Sequence, residues 1–153
     1  MSNKITTPPK KEFQSFHDFP IVTDLDDFEA DIAFLGIPFG DPYSMGEASN
    51  DQCTAPTHIR RYCERALRGL DRYDFDIGGT LLNGEDIKVV DCGDVLGEAK
   101  DVAGNHKRSE EAVRKILSTG AMPIILGGDH AIPIPVFRAC LLYTSDAADD
   151  FTS

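Results

Sequence analysis

A carboxylate and an imidazole stand side by side at Asp129 and His130, directly behind the glycine pair Gly127-Gly128. Oxygen and nitrogen donors on one loop suit a metal ion of mixed ligation. The pair closes a short apolar run, Pro123-Ile124-Ile125-Leu126, which reads as a buried strand, and a helix-like segment follows. A histidine on the loop leaving the carboxyl end of a parallel strand lies where open α/β sheets place their chemistry. Gly127 and Gly128 lack the spacing of a dinucleotide fingerprint, and no basic residue attends them, so a phosphate loop is the weaker reading.

Three strands and three helices position this loop. Asp31 to Ile37 is a nearly continuous apolar run that suits a strand covered on both faces. The polar loop from Asp41 to Thr54 follows it. Pro56 then opens a helix whose apolar stripe is expected to be Ile59, Tyr62, Cys63, Ala66, Leu67 and Leu70, leaving Arg60, Arg61, Glu64, Arg65 and Arg68 to solvent. The second strand is Ile87–Val90, leading into the turn Asp91-Cys92-Gly93-Asp94. A second helix runs from about Ser109 to Ser118, burying Ala112, Val113, Ile116 and Leu117, and Gly120 stops it. Pro133 and Pro135 fit only the opening of a third helix through Val136, Phe137 and Ala139. This alternation predicts an α/β fold with a parallel sheet. It gathers Asp41, Asp91, Asp94, Asp129 and His130 at one rim, with turn-stabilising roles favoured for Asp91 and Asp94.

Residues 1–30 read as a flexible lead-in, residues 31–139 as the domain. Fifteen basic against twenty-six acidic residues give a net charge of −11. That balance argues against nucleic-acid binding, which needs clustered Lys and Arg, and mildly favours a cationic substrate. No apolar run is long enough to span a bilayer, and no hydrophobic region backs the basic N-terminus. Cys53, Cys63, Cys92 and Cys140 form no Cys-x-x-Cys pair and read as reduced thiols of a cytoplasmic protein. From Cys140 the helical stripe is expected to fail. Cys140 to Asp150 resembles the conceptual translation of a transposase sequencing adaptor, which implies that residues 140–153 are a non-native tail.

Three segments carry a wider resemblance. Ala30–Phe39, Val89–Val95 and Leu126–Ile132 are similar, in order and spacing, to the opening strand, the second strand and the first metal motif of the arginase–agmatinase family of ureohydrolases. Asn50-Asp51-Gln52 and Ala55-Pro56-Thr57 resemble a bacterial agmatinase-like branch. Met45-Gly46-Glu47, Ala55-Pro56 and Pro133 depart from the usual pattern, which bears on substrate identity.

The resemblance implies a three-layer α/β/α fold around an eight-stranded, mostly parallel sheet, cut off here after about the third strand and the start of the following helix. It implies two Mn²⁺ ions and hydrolysis of a small cationic guanidino compound, agmatine-like, to urea and an amine. His130 matches the family's first histidine ligand. Asp129 would orient this loop or a ligand imidazole, the alternative being an Asx turn or a cap of the third helix. Tyr43, Met45, Asn50 and Gln52 are the substrate-loop candidates. The family's Asp-x-His-x-Asp and later Asp-x-Asp motifs are not in this sequence, so the chain as written is expected to be inactive, with a homo-oligomer expected of the complete protein. Two other readings stand beside this one: a metal-dependent amide hydrolase of the deacetylase type, and a non-catalytic interaction module.

Overall fold

A computed structural model of the chain describes residues 5–9, 15–39, 51–66, 70–98 and 100–150. Its strands are β1 (Thr6–Thr7), β2 (Ile32–Ile37), β3 (Val89–Val95) and β4 (Met122–Gly127). Its helices are α1 (Ala55–Ala66), α2 (Val102–Ser118) and α3 (Pro133–Asp150). The four strands form one sheet in the order β1-β3-β2-β4. β2 runs parallel to both β3 and β4, and β1 is antiparallel to β3. The expected α/β class with a mostly parallel sheet is therefore present.

The centre of the sheet follows from the apolar run of β2. A strand apolar at every position has to be covered on both faces. Alternate residues Ala33, Leu35 and Ile37 are fully buried with Cys92, Val113 and Ile116, and Val90 joins them nearly so, beneath α2 and α3. Phe34 points the other way, into a cluster with Val89, Leu126, Phe16 and Phe19. The Phe16 and Phe34 rings stack with their centroids 4.0 Å apart.

The N-terminal stretch corrects the first expectation. Residues 1–30 were expected to precede the domain as a flexible lead-in, but the described part of them is packed into it. Thr6 and Thr7 pair with Val95 and Asp94, and Ile5 and Leu25 are buried in the core. Val22 N–H donates to the Asp91 carbonyl and Asp91 N–H to the Pro20 carbonyl, both at 2.9 Å. The apolar side chains of this stretch are too scattered to form a periodic pattern, because each fills a separate gap in a surface built by later residues.

α2 begins earlier than expected. Asp101 caps it, its side chain accepting the Gly104 N–H at 2.9 Å. The first two turns bury polar residues, which hides them from a search for an apolar stripe. Asn105 holds Glu98 through both backbone groups, and Ser109 donates to the Asn105 carbonyl at 2.9 Å.

α3 also extends further than expected, running unbroken through Cys140 to Asp150. The apolar pattern does lapse there: Ala139 is fully buried, whereas Leu141, Leu142 and Tyr143 are exposed. No helix among the described residues is long and apolar enough to cross a membrane.

Candidate functional site

β4 delivers the candidate loop to the carboxyl rim of the sheet. Its last pairs align Leu126 with Gly36 and Ile37 with Gly127, so the chain leaves the sheet level with the end of β2. Just beyond, the segment after β2 crosses the loop. A Cβ at Gly128 would overlap the carbonyl oxygen of Phe39, so only glycine admits this crossing. The crossing fixes where Asp129 and His130 emerge.

Asp129 shapes the turn into α3. Its Oδ1 accepts the Ala131 N–H at 2.8 Å, and its carbonyl accepts the Ile132 N–H at 3.4 Å. That is an Asx turn at the start of a helix, with His130 held next to it on the exposed surface. Gln52 lies in a short 3₁₀ turn, Asp51–Thr54, just before α1. Tyr43, Met45 and Asn50, and with them Asp41, lie outside the described residues.

The other two rim candidates go elsewhere. Asp91 was expected in a turn after the second strand, but β3 continues to Val95 and carries Asp91 inside it, fully buried. Buried carboxylates need a counter-charge, and Arg60 supplies it. Its Nε and Nη2 donate to the two Asp91 oxygens at 2.8 Å each, its Nη1 to Asp94 Oδ1 at 2.7 Å, and Nη2 also to the Gly93 carbonyl at 3.1 Å. Asp91 additionally accepts the backbone N–H of Phe16 at 2.7 Å and of Gly93 at 2.9 Å. One carboxylate thus ties together β3, α1 and the N-terminal segment. Burial lowers the proton affinity of the Arg60 guanidinium, but the hydrogen bonds and charges of Asp91 and Asp94 outweigh it and leave it raised.

This arrangement corrects the reading of α1. Arg60, expected in solvent, is 1% exposed, while Ile59 and Tyr62, expected in the core, are 37% and 63% exposed. The helix is rolled so that Pro56 and Arg60, one turn apart, face the sheet. Two carboxylates within the strand-like run Val89-Val90-Asp91-Cys92-Gly93-Asp94-Val95 were the available signal, since buried acids require a nearby base. The sequence does not say which of the three arginines on α1, Arg60, Arg61 or Arg65, would answer it.

A metal centre is not assembled here. Among the described residues no group of three or more His, Cys, Asp or Glu side chains could hold an ion. His130 and Asp129 are brought together, and Asp91 and Asp94 are taken up by Arg60. A manganese pair needs several ligands in fixed geometry, and the residues present do not fit it by themselves.

The model of the arginase family matches residues 30–148. This chain belongs to the arginase family. It is 27% identical over 145 residues to the mitochondrial agmatinase of Gallus gallus, covering 90% of this chain and 39% of that protein. Among solved structures it resembles a hypothetical agmatinase from Burkholderia thailandensis, with a TM-score of 0.69 and 23% identity over 93% of this chain and 44% of the other. It also resembles the Trypanosoma cruzi formiminoglutamase solved with Mn²⁺, with a TM-score of 0.58 and 23% identity over 77% of this chain and 37% of the other. The chain therefore spans less than half the length of these relatives. The family match also extends nine residues beyond Ala139, into the segment read as a non-native tail.

Proposed function

We propose that this chain is the N-terminal part of a manganese-dependent ureohydrolase acting on a small cationic guanidino compound of agmatine type. The family match supports the hydrolase class, and the Gly-Gly-Asp-His loop at the carboxyl rim is the observation that carries the reading to a site. In the complete protein His130 would be one ligand of the metal pair, and the remaining ligands would come from the motifs this sequence lacks. The ions would supply an activated hydroxide for attack on a guanidinium carbon that resonance makes a poor electrophile.

This chain's own contribution is positional. The Phe39–Gly128 crossing sets where the loop leaves the sheet, and the Asp129 turn sets the direction in which the His130 imidazole is presented. The loop before α1, with Tyr43, Met45, Asn50 and Gln52, would select the substrate. The negative balance of the chain favours a cationic one. We place the complete protein in the cytoplasm as a homo-oligomer, without nucleic-acid or membrane partners.

The test is urea release from agmatine, arginine and guanidinobutyrate with added Mn²⁺. The 153-residue chain is expected to give none, whereas a longer reading frame supplying the two missing motifs is expected to turn over. Turnover by the 153-residue chain would overturn the assignment of the remaining ligands to another part of the protein. A longer frame without those motifs would overturn the ureohydrolase reading.

A further inference from the structure

The connector between α1 and β3 contains an Asn-Gly step that the rim does not use. We propose that Asn83 is a site of spontaneous deamidation, in which the Gly84 backbone nitrogen attacks the Asn83 side-chain amide. The step sits in a tight turn from Leu82 to Glu85, closed by the Glu85 N–H donating to the Leu82 carbonyl at 2.8 Å. Both central residues have positive φ, 49° at Asn83 and 77° at Gly84. That is a type I′ turn, which favours this residue pair.

Three features leave the reacting groups accessible. Both residues are exposed. A Cβ placed on Gly84 would meet nothing within 4 Å, so no packing opposes movement of its nitrogen. Among the described residues, the Gly84 N–H donates to no acceptor. Nitrogen and amide carbon belong to adjacent residues, so attack is intramolecular and needs only rotation at Asn83. Asn105 supplies the contrast. It is buried in α2, with its side-chain amide engaged with Glu98 in both directions.

The chemistry balances with water alone. The Gly84 nitrogen bonds to Asn83 Cγ and gives up its proton, the Cγ–Nδ2 bond breaks, and ammonia leaves. Water then opens the resulting cyclic imide at either carbonyl, giving aspartate or its β-linked isomer. The product adds a carboxylate to a connector that already carries Asp71, Asp74, Asp76, Glu85 and Asp86. The β-linked form also inserts a methylene into the main chain shortly before β3.

Trypsin releases Tyr73–Lys88, in which Asn83 is the only side-chain amide. After incubation of the native chain in warm, mildly alkaline buffer, this peptide is expected to gain the mass of an amide-to-acid exchange. It should resolve into two isomers of equal mass, with Asn83→Asp marking the retention of the linear one. Asn105 is expected to keep its amide. Gly84→Ala, which hinders the attacking nitrogen, is expected to abolish the exchange, with circular dichroism reporting whether the variant folds. A native peptide that keeps its amide over the time in which the urea-unfolded chain converts would overturn the proposal. So would conversion to the linear aspartate alone, because that excludes the cyclic imide.

Discussion

The molecule treats ionisable side chains in two opposite ways within a few strands of each other. Around Arg60, one guanidinium, two carboxylates and three backbone groups meet in the interior and saturate one another. Around His130, the imidazole is presented on the surface from a loop whose backbone is fixed by Phe39 and Asp129. The first is closed, with its bonding capacity spent on the fold. The second is open, with its backbone spent on the fold and its side chain exposed. The buried charge cluster serves the fold in this chain, and the exposed, rigidly delivered side chain is the one we propose for a ligand.

The largest effect is expected at Arg60. Replacing it with leucine leaves Asp91 buried, and Asp94 half-buried beside it, without a cation, which costs about 3–5 kcal/mol. Urea unfolding of Arg60→Leu against the parent chain measures it, and a loss similar to that of an exposed substitution would mean the cluster is wet. Arg60→Lys keeps the charge but not the forked donors that reach both Asp91 oxygens, so it should recover only part of the loss.

Gly128 tests the open region through its backbone. Gly128→Ala forces the loop off the Phe39 carbonyl, an overpacking that costs about 1–3 kcal/mol. The ring resonances of His130 should shift in the same variant, because its point of departure from the sheet moves. An unshifted imidazole would show that the crossing does not set its position.

Cys92 tests how dry the interior is. Burial, and then the charge of Asp91, push its thiol up to about 12. Because the folded state holds this proton more tightly than the unfolded state does, the contribution to stability is intact below the ordinary thiol value. It falls away as pH rises from there toward about 12. Unfolding midpoints across that alkaline range should therefore decline, and Cys92→Ala should flatten the decline. Alkylation of the native chain should reach exposed Cys53 well before Cys92.

The smallest effect is expected at His130 itself. An exposed side chain away from packing changes stability by about 0.5 kcal/mol or less, so His130→Ala should unfold like the parent. A large loss would place the imidazole in the fold rather than at a site.

What could be read in advance divides along the same line. β2 was legible because a strand buried on both faces writes an uninterrupted apolar run; β4, last in the sheet and only partly buried, was legible from its short apolar run between an exposed Met122 and a glycine. The place of the Gly-Gly-Asp-His loop at the end of β4 was legible because strand ends are marked by glycine. The roll of α1 was not legible, since a helix with arginine on its buried face has the same periodicity as one with arginine outside. The length of α2 was hidden by Asn105 and Ser109, polar residues satisfied by local hydrogen bonds that composition does not reveal. The packing of Ile5, Phe16 and Leu25 depends on residues far along the chain, so no local pattern announces it.

The Asp91 carboxylate has a consequence for how this architecture assembles. Its partners come from positions 75 and 31 residues earlier in the chain, and neutralisation is complete only once all three segments have converged. An intermediate with the sheet formed but either arm undocked must keep that acid hydrated, and so cannot seal the layer beneath α1. Closing these long loops is slow compared with making local contacts. Desolvation of this one side chain thus couples the N-terminal segment to a strand far along the chain, so that loosening either arm is expected to weaken the hold of the other.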